Sequence, residues 1–350
     1  MQSERTIFRL LSIERPFEIA FTSRERMPLS PAEIRLRSVL SGISHGTEMN
    51  LYRGTTPSFH KSWSESLRLF TNGEAKKTYP VFPGYETVAQ VVEVGADCPG
   101  VKIGDLAWID ASHGEEHHLP LSTVKTGLLP TAISPTQGIF LALTRVALGG
   151  VHDARIHIGD TVTVVGLGTI GLITVQLALR AGASRVFAVD RFPLRLEKAC
   201  SYGAIGIRSD SDPAREIKEL TSGHGTDVAI ETSGNIAALQ TAIRGVCVGG
   251  SVVVVSSYQA SADTLFLGEE FHRNRVSIRS SMTVNKCSHR IAPRWNLERL
   301  NSTAIGLLQQ NQIDVTSLIT QVLPFSSAIE AYRLIDQTPG ETIKVALSYD

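Results

Sequence analysis

Thr161-Val-Thr-Val-Val165 followed by Gly166-Leu-Gly168-Thr169-Ile170-Gly171 decides the reading of this chain. The first five residues are an unbroken β-branched run, as a strand buried on both faces requires. Three glycines follow in G-x-G-x-x-G spacing, and Thr169–Ala181 is apolar at helical intervals. The glycine spacing alone is a weak signal. Between a strand and a helix it is the turn that cradles a dinucleotide. Gly166 permits the tight turn, Gly168 lets the backbone approach a pyrophosphate, and Gly171 lets helix and strand pack closely. The helix start at Thr169 and Ile170 offers free N–H groups and a positive dipole end to the phosphates.

Working outward, Arg185–Val189 reads as a second strand and Leu194–Tyr202 as a second helix. Val228–Ile230 reads as a third strand, Ile236–Val246 as a helix, and Ser251–Val255 and Val276–Arg279 as further strands. This alternation predicts an α/β fold, a doubly wound parallel sheet of the Rossmann kind. Asp190 ends the second strand, 19 residues after Gly171. A carboxylate there accepts hydrogen bonds from the adenosine ribose and repels a 2′-phosphate, which points to NAD. Arg191 would hold a 2′-phosphate if Asp190 turned away, so NADP stays open. Arg195 and Lys344 are candidates for phosphate or ribose. Ser233 and Ser256 stand at strand carboxyl ends, where ligands bind in such sheets.

The flanks read differently. Short strands broken by Gly and Pro (Glu33–Val39, Thr87–Val94, Asp105–Ile109) fill the first part. The tail is helical at Leu297–Gln310 and Ser326–Ile335 and closes with a strand, Thr342–Leu347. Thr55–Thr78 is an insertion rich in Ser, Thr, Lys and aromatics, either a lid or surface decoration. A chain of 350 residues is natural for two domains. We expect residues 1–150 with 285–350 to form one and 151–284 the other.

Lys+Arg and Asp+Glu both total 34, so no net charge drives binding to nucleic acid or a membrane surface. No apolar run reaches the roughly 20 residues of a spanning helix. Met1–Arg9 lacks the apolar core of a secretory signal, and a cytoplasmic protein is expected. The four cysteines show no C-x-x-C spacing, which leaves four separate thiols.

Further stretches carry a family resemblance. They are Gly42-Ile-Ser-His-Gly-Thr-Glu48 with Tyr52-Arg-Gly54, Pro83-Gly-Tyr-Glu86, and Val101-Lys-Ile-Gly-Asp105. Late in the chain come Leu308-Gln-Gln-Asn-Gln-Ile-Asp314, Leu318-Ile-Thr320 and Ile343-Lys-Val345. With the nucleotide motif between them, they resemble the medium-chain dehydrogenase/reductase superfamily of zinc alcohol, polyol and threonine dehydrogenases. The resemblance implies a mostly β, GroES-like catalytic domain built from both ends of the chain, with the Rossmann domain inserted. It implies hydride transfer between a nicotinamide cofactor and a small-molecule alcohol or ketone, and a homodimer or homotetramer. Gly-Ile-Ser-x-Gly-Thr-Glu with Pro-Gly-Tyr-Glu is similar to a subgroup that includes the bacteriochlorophyllide dehydrogenases.

The family's zinc ligands are missing from the aligned positions. His45 stands at the Cys position and Tyr85 at the His position, and Gly138–Leu143 holds no third ligand. The clustered cysteines of a structural zinc are absent too. We therefore expect catalysis without zinc; a surviving site would use His45 and Glu86. Without the metal a base must take the hydroxyl proton, and His45 is the first candidate. Thr47 resembles the family's relay hydroxyl, or caps a helix. Tyr85 can donate to the carbonyl oxygen, or fill the space of the metal site. Glu86 resembles a carboxylate behind the ligands. His113, His117 and His118 read as a solvated loop or strand edge, with His113 a second candidate base. The expected reaction interconverts a secondary alcohol (polyol, cyclitol, sugar or natural-product intermediate) and its ketone. The alternatives are an NADPH-dependent enoyl or quinone-type reductase and a non-catalytic NAD(H)-binding protein.

Overall fold

The computed structural model describes residues 7–71, 77–259, 261–282 and 287–349. It divides into two compact units, Leu141–Leu318 and Met1–Phe140 with Ile319–Asp350. The first boundary lies ahead of the expected 150/151 because Leu141–Ala154 is one continuous helix. That helix packs on Thr169–Arg180 and on Leu297–Gln309, and Arg145 Nη1 donates to Asn301 Oδ1 at 2.8 Å. The later helix is thereby held in the nucleotide unit, not in the catalytic one as expected. The expected boundary at 284/285 lies outside the described residues, as do residues 72–76 of the insertion and the first six of Met1–Arg9.

Leu141–Leu318 is built on six parallel strands. Their spatial order is Ile205–Arg208, Arg185–Asp190, Thr161–Val165, Thr226–Glu231, Val246–Val254, Ser277–Ser280. In chain order this is 3-2-1-4-5-6, the doubly wound arrangement with its switch point beside Thr161–Val165. The sequence reading missed Ile205–Arg208 and the helix Pro213–Leu220 after it. The reason is physical. That strand is four residues long, lies at the sheet edge and buries only Ile207, so it carries no apolar run. Central strands must be apolar on both sides, and Val162, Val164, Ala188, Ala229, Ile230 and Val252 are all fully buried.

The other unit holds a six-stranded, largely antiparallel sheet. Ile319–Pro324, Lys344–Ser348, Glu33–Ile43, Thr87–Val94 and Leu106–Ile109 follow in order, and Glu116–Pro120 pairs with Glu33–Ile43. The C-terminal strand Lys344–Ser348 thus pairs directly with the strand that leads into His45. Its core joins residues of both chain ends, including Leu11, Ile43, Met49, Tyr332 and Val345. The insertion contributes a short hairpin, Ser62–Ser64 with Leu69–Thr71. Among the described residues no helix is long and apolar enough to cross a membrane.

The cluster of histidines corrects an expectation. His117 and His118 lie in Glu116–Pro120, and His117 is buried, not in a solvated loop. Strand pairing explains this, since His117 sits opposite Leu36 in the sheet. Ser38 Oγ donates to Gly114 O and therefore accepts from His117 Nε2 at 3.0 Å. Burial, with a smaller contribution from His113, pushes the His117 ring down to about 4. Its folded value lies below its unfolded one, so the unfolded chain takes up the proton first. Stability contributed by neutral His117 is present above pH 6.5 and is lost as pH falls toward 4. His117→Gln should flatten the acid side of the stability curve by on the order of 3 kcal/mol, read by urea unfolding at pH 7 and pH 4.5.

Candidate active site

The turn from Glu33–Ile43 into the short helix Thr47–Arg53 carries Ser44, His45 and Gly46. His45 is half-buried and Thr47 is exposed at the first helical position. The Tyr85 hydroxyl donates to Ser44 Oγ at 2.8 Å. Thr47 and Glu86 stand close enough to Tyr85 to act on its hydroxyl, so the structure brings Ser44, Thr47, Tyr85 and Glu86 together next to His45. Burial, then the nearby Glu86 carboxylate, pushes the Tyr85 phenol well above its ordinary value of 10. Tyr85 is therefore a proton-bearing donor at neutral pH.

Behind it Glu86 is completely buried and pairs with Lys344 Nζ, which also donates to Ile43 O at 2.9 Å. This corrects the expectation that Lys344 reaches a phosphate. It is 1% exposed, in the catalytic unit, and its ammonium is spent on Glu86. Burial raises the Glu86 carboxyl to about 7 although Lys344 pulls it down. The pair fixes a small residue nearby, since a Cβ on Gly42 would stand 2.5 Å from Lys344 Cε and 2.8 Å from Glu86 Oε2.

His113 is also fully buried and is not a free second base. Its Nε2 lies 2.8 Å from Glu48 Oε2, and its Nδ1 lies 2.7 Å from Ser41 Oγ, which meets the Tyr349 hydroxyl at 2.8 Å. Glu48 also accepts from the Tyr332 hydroxyl and, at 2.8 Å, from the Ser44 N–H. Burial alone would raise Glu48, but His113, Tyr332 and Ser44 together hold it below its usual value. This network was missed by sequence reasoning. Glu48 served only to align the motif, and nothing local announced Tyr332 or Tyr349 as its neighbours.

In the nucleotide unit the glycine turn has the features a dinucleotide needs. Gly166 has φ +88° and faces Ser233, whose Cβ would stand 2.6 Å from an added Cβ. An added Cβ on Gly171 would stand 1.9 Å from Gly166 O. One on Gly168 would point into open space, the room a pyrophosphate requires. Thr169 and Ile170 open the helix Thr169–Arg180. Asp190 Oδ2 accepts from the Leu167 N–H at 2.7 Å and Oδ1 from the Phe192 N–H at 3.0 Å, tying the second strand end to the turn. Arg191 and Arg195 flank the Phe192 ring at 4.5 and 4.8 Å, and Arg195 Nη1 lies 3.9 Å from Asp190. These residues fit a nicotinamide dinucleotide. Ser233 and Ser256 do stand at strand ends, but both hydroxyls donate to the buried carboxylate of Glu231. Glu231 was missed because the strand was read as ending at Ile230.

Zinc fits poorly. Among the described residues no group of three or more His, Cys, Asp and Glu is placed to hold a metal. At the family's ligand positions stand His45 and a phenol bonded to Ser44, with Glu86 held by Lys344.

The chain is similar to known dehydrogenases along nearly its whole length. Residues 169–297 match the family model described as zinc-binding dehydrogenase. The chain is 31% identical over 343 residues to D-guloside 3-dehydrogenase of Escherichia coli K12, covering 95% of this chain and 98% of that one. It is 25% identical to 2-desacetyl-2-hydroxyethyl bacteriochlorophyllide A dehydrogenase of Rhodobacter capsulatus over 333 residues, 91% of each chain. The 2R,3R-butanediol dehydrogenase structure from Bacillus subtilis superposes with a TM-score of 0.78 at 21% identity, over 98% of this chain and 100% of that one.

Removing one partner of a buried ion pair leaves the other without its partner in a site closed to water. Lys344→Met should destabilise the protein by about 3–5 kcal/mol. The double variant Glu86→Gln/Lys344→Met should recover most of that loss, measured by urea unfolding at pH 7.

Proposed function

This chain belongs to the medium-chain dehydrogenase/reductase family, and we propose that it is an NAD-linked dehydrogenase of a secondary ring hydroxyl in a sugar or polyol derivative, working without catalytic zinc. The family membership makes it an alcohol dehydrogenase-like oxidoreductase of a nicotinamide cofactor. The finer reading rests on one observation above others, the likeness to D-guloside 3-dehydrogenase along nearly the whole of both chains. That relative's name describes oxidation at one secondary position of a glycoside. The NAD preference is supported by Asp190 at the second strand end. Zinc independence is supported by the donor set around His45 and Tyr85.

When bound, the nicotinamide supplies the hydride acceptor. The residues then divide the remaining work. The substrate hydroxyl gives its proton to the His45 imidazole as the carbinol C–H leaves as hydride, and a C=O is formed. Tyr85 turns its hydroxyl from Ser44 to the substrate oxygen and donates to the developing negative charge. Thr47, exposed beside them, passes the proton outward. Glu86 and Lys344 hold Tyr85 in place from behind. Gly166, Gly168, Thr169, Ile170 and Gly171 cradle the pyrophosphate, and Asp190 meets the adenosine ribose. The reading includes a cytoplasmic homo-oligomer, with Ser277–Ser280 as the edge strand available to a second copy.

His45→Ala should lower kcat/KM for the alcohol by about 10²–10⁴-fold, the usual worth of a positioned general base. Tyr85→Phe should lower kcat with little change in NADH affinity. Full turnover in His45→Ala would end the acid–base assignment. The substrate assay is NADH production from a panel of glycosides, polyols and cyclitols. Reduction of activated C=C bonds with NADPH instead would mark the protein as an enoyl or quinone-type reductase. NADH binding without any turnover would mark a non-catalytic one.

Metal content gives an independent test. Protein purified without chelator should carry zinc well below one equivalent by elemental analysis while still binding NADH. One tightly held zinc per chain would return His45 and Glu86 to the role of ligands.

A further inference from the structure

Glu231 ends the strand Thr226–Glu231 at its carboxyl edge and is completely buried. Its Oε1 accepts from the Ser233 N–H at 2.6 Å, the Ser233 hydroxyl, and the Gly234 N–H at 3.2 Å. Its Oε2 accepts from the Ser256 hydroxyl and, at 2.6 Å, the Tyr258 hydroxyl. Five neutral donors converge on one carboxylate, and among the described residues no Lys, Arg or His forms an ion pair with it. Such a site solvates a charge without cancelling it.

Its position gives that charge a target. Thr232 Oγ1 donates to Gly166 O at 2.5 Å, so the segment after Glu231 leans on the phosphate-binding turn. Asp190 ends the strand on one side of Thr161–Val165, and Glu231 ends the strand on the other. A dinucleotide lies across this switch point. With adenosine at Asp190, its second nucleoside would lie toward the ends of Thr226–Glu231 and Val246–Val254. Those ends are the two that Glu231 ties together. The nicotinamide ring is a cation when oxidised and neutral when reduced. A buried carboxylate near that half would attract the oxidised form and leave the reduced form little affected.

We propose that Glu231 sets the balance between bound NAD+ and bound NADH, favouring NAD+ by its charge while its hydrogen bonds hold residues 232–234 and 256–258 as one rim. This rests on the nicotinamide reading of the glycine turn. A site that holds NADH less tightly than NAD+ releases the reduced cofactor readily, which suits alcohol oxidation. Glu231 is a positioning and charge-setting residue, and it makes no covalent or proton-transfer step.

The experiment measures dissociation constants of NAD+ and NADH separately, by calorimetry, for the wild type, Glu231→Gln, Tyr258→Phe and Ser256→Ala. Glu231→Gln removes the charge at nearly constant volume. It should weaken NAD+ about five- to tenfold more than it weakens NADH. Tyr258→Phe and Ser256→Ala each keep the charge and remove one donor that spreads it. They should move the ratio the other way, toward NAD+. Equal weakening of both forms in Glu231→Gln would reduce Glu231 to a loop anchor and overturn the proposal. If Glu231→Gln does not fold, unchanged ratios in the other two variants overturn it instead. A wild type that binds neither form defeats the cofactor reading itself, a result distinct from a fixed ratio.

Discussion

The catalytic unit depends on one buried carboxylate, Glu48. It draws the Ser44 N–H from the turn before its own helix, His113 from a loop, and Tyr332 from the C-terminal helix Ala328–Gln337. These three partners come from separate elements, and Tyr332 lies 284 residues further along the chain. A charge taken out of water is costly unless it is fully hydrogen-bonded. Each partner is thus required by the others, and the turn that carries His45 is fixed only when both ends of the chain have met. Joining the ends across a long insertion is less demanding than the separation suggests, because closure entropy grows only as the logarithm of loop length. Strand pairing of Lys344–Ser348 with Glu33–Ile43 supplies the rest.

The nucleotide unit uses carboxylates in the same manner. Asp190 takes two backbone N–H groups and binds the second strand end to the glycine turn. Glu231 takes two more, with three hydroxyls, and binds the fourth and fifth strand ends. Strand carboxyl ends are poor in hydrogen-bond partners because the ladder stops there. A side-chain acceptor placed at that point satisfies the freed donors and gives the loops a fixed shape. Rigid loops at strand ends are what a bound dinucleotide needs, so one chemical device serves stability and binding together.

How much of this was legible follows from the range of each interaction. The glycine turn, its strand and its helix are contiguous, so local pattern sufficed to read them. The place of Asp190 at the second strand end was legible because its distance from the turn is set by one helix and one strand. Ile205–Arg208 was not, since an edge strand of four residues with one buried side chain leaves no periodic trace. Lys344 was assigned to a phosphate because its partner Glu86 is 258 residues away, and a charge without a visible partner invites a ligand. His113 looked like an accessible base for the same reason. Its burial follows from Glu48 and Ser41, neither of which is near it in sequence.

The arrangement around His45 also bears on why the substitutions at the ligand positions belong together. A zinc site carries two positive charges next to the reacting oxygen, and nearby carboxylates then balance it. With Tyr85 in a ligand position, an unpaired Glu86 carboxylate would be a buried negative charge beside a developing alkoxide. Lys344 neutralises it, and the tight space around Gly42 holds the ammonium on that carboxylate. Glu48 is balanced in turn by His113 and two further donors. Both carboxylates are thereby spent on internal partners. The charge that changes during the proposed reaction is then left to His45, which becomes a cation as the oxygen loses its proton. A metal that took Glu86 as a ligand would need Lys344 to release that carboxylate first.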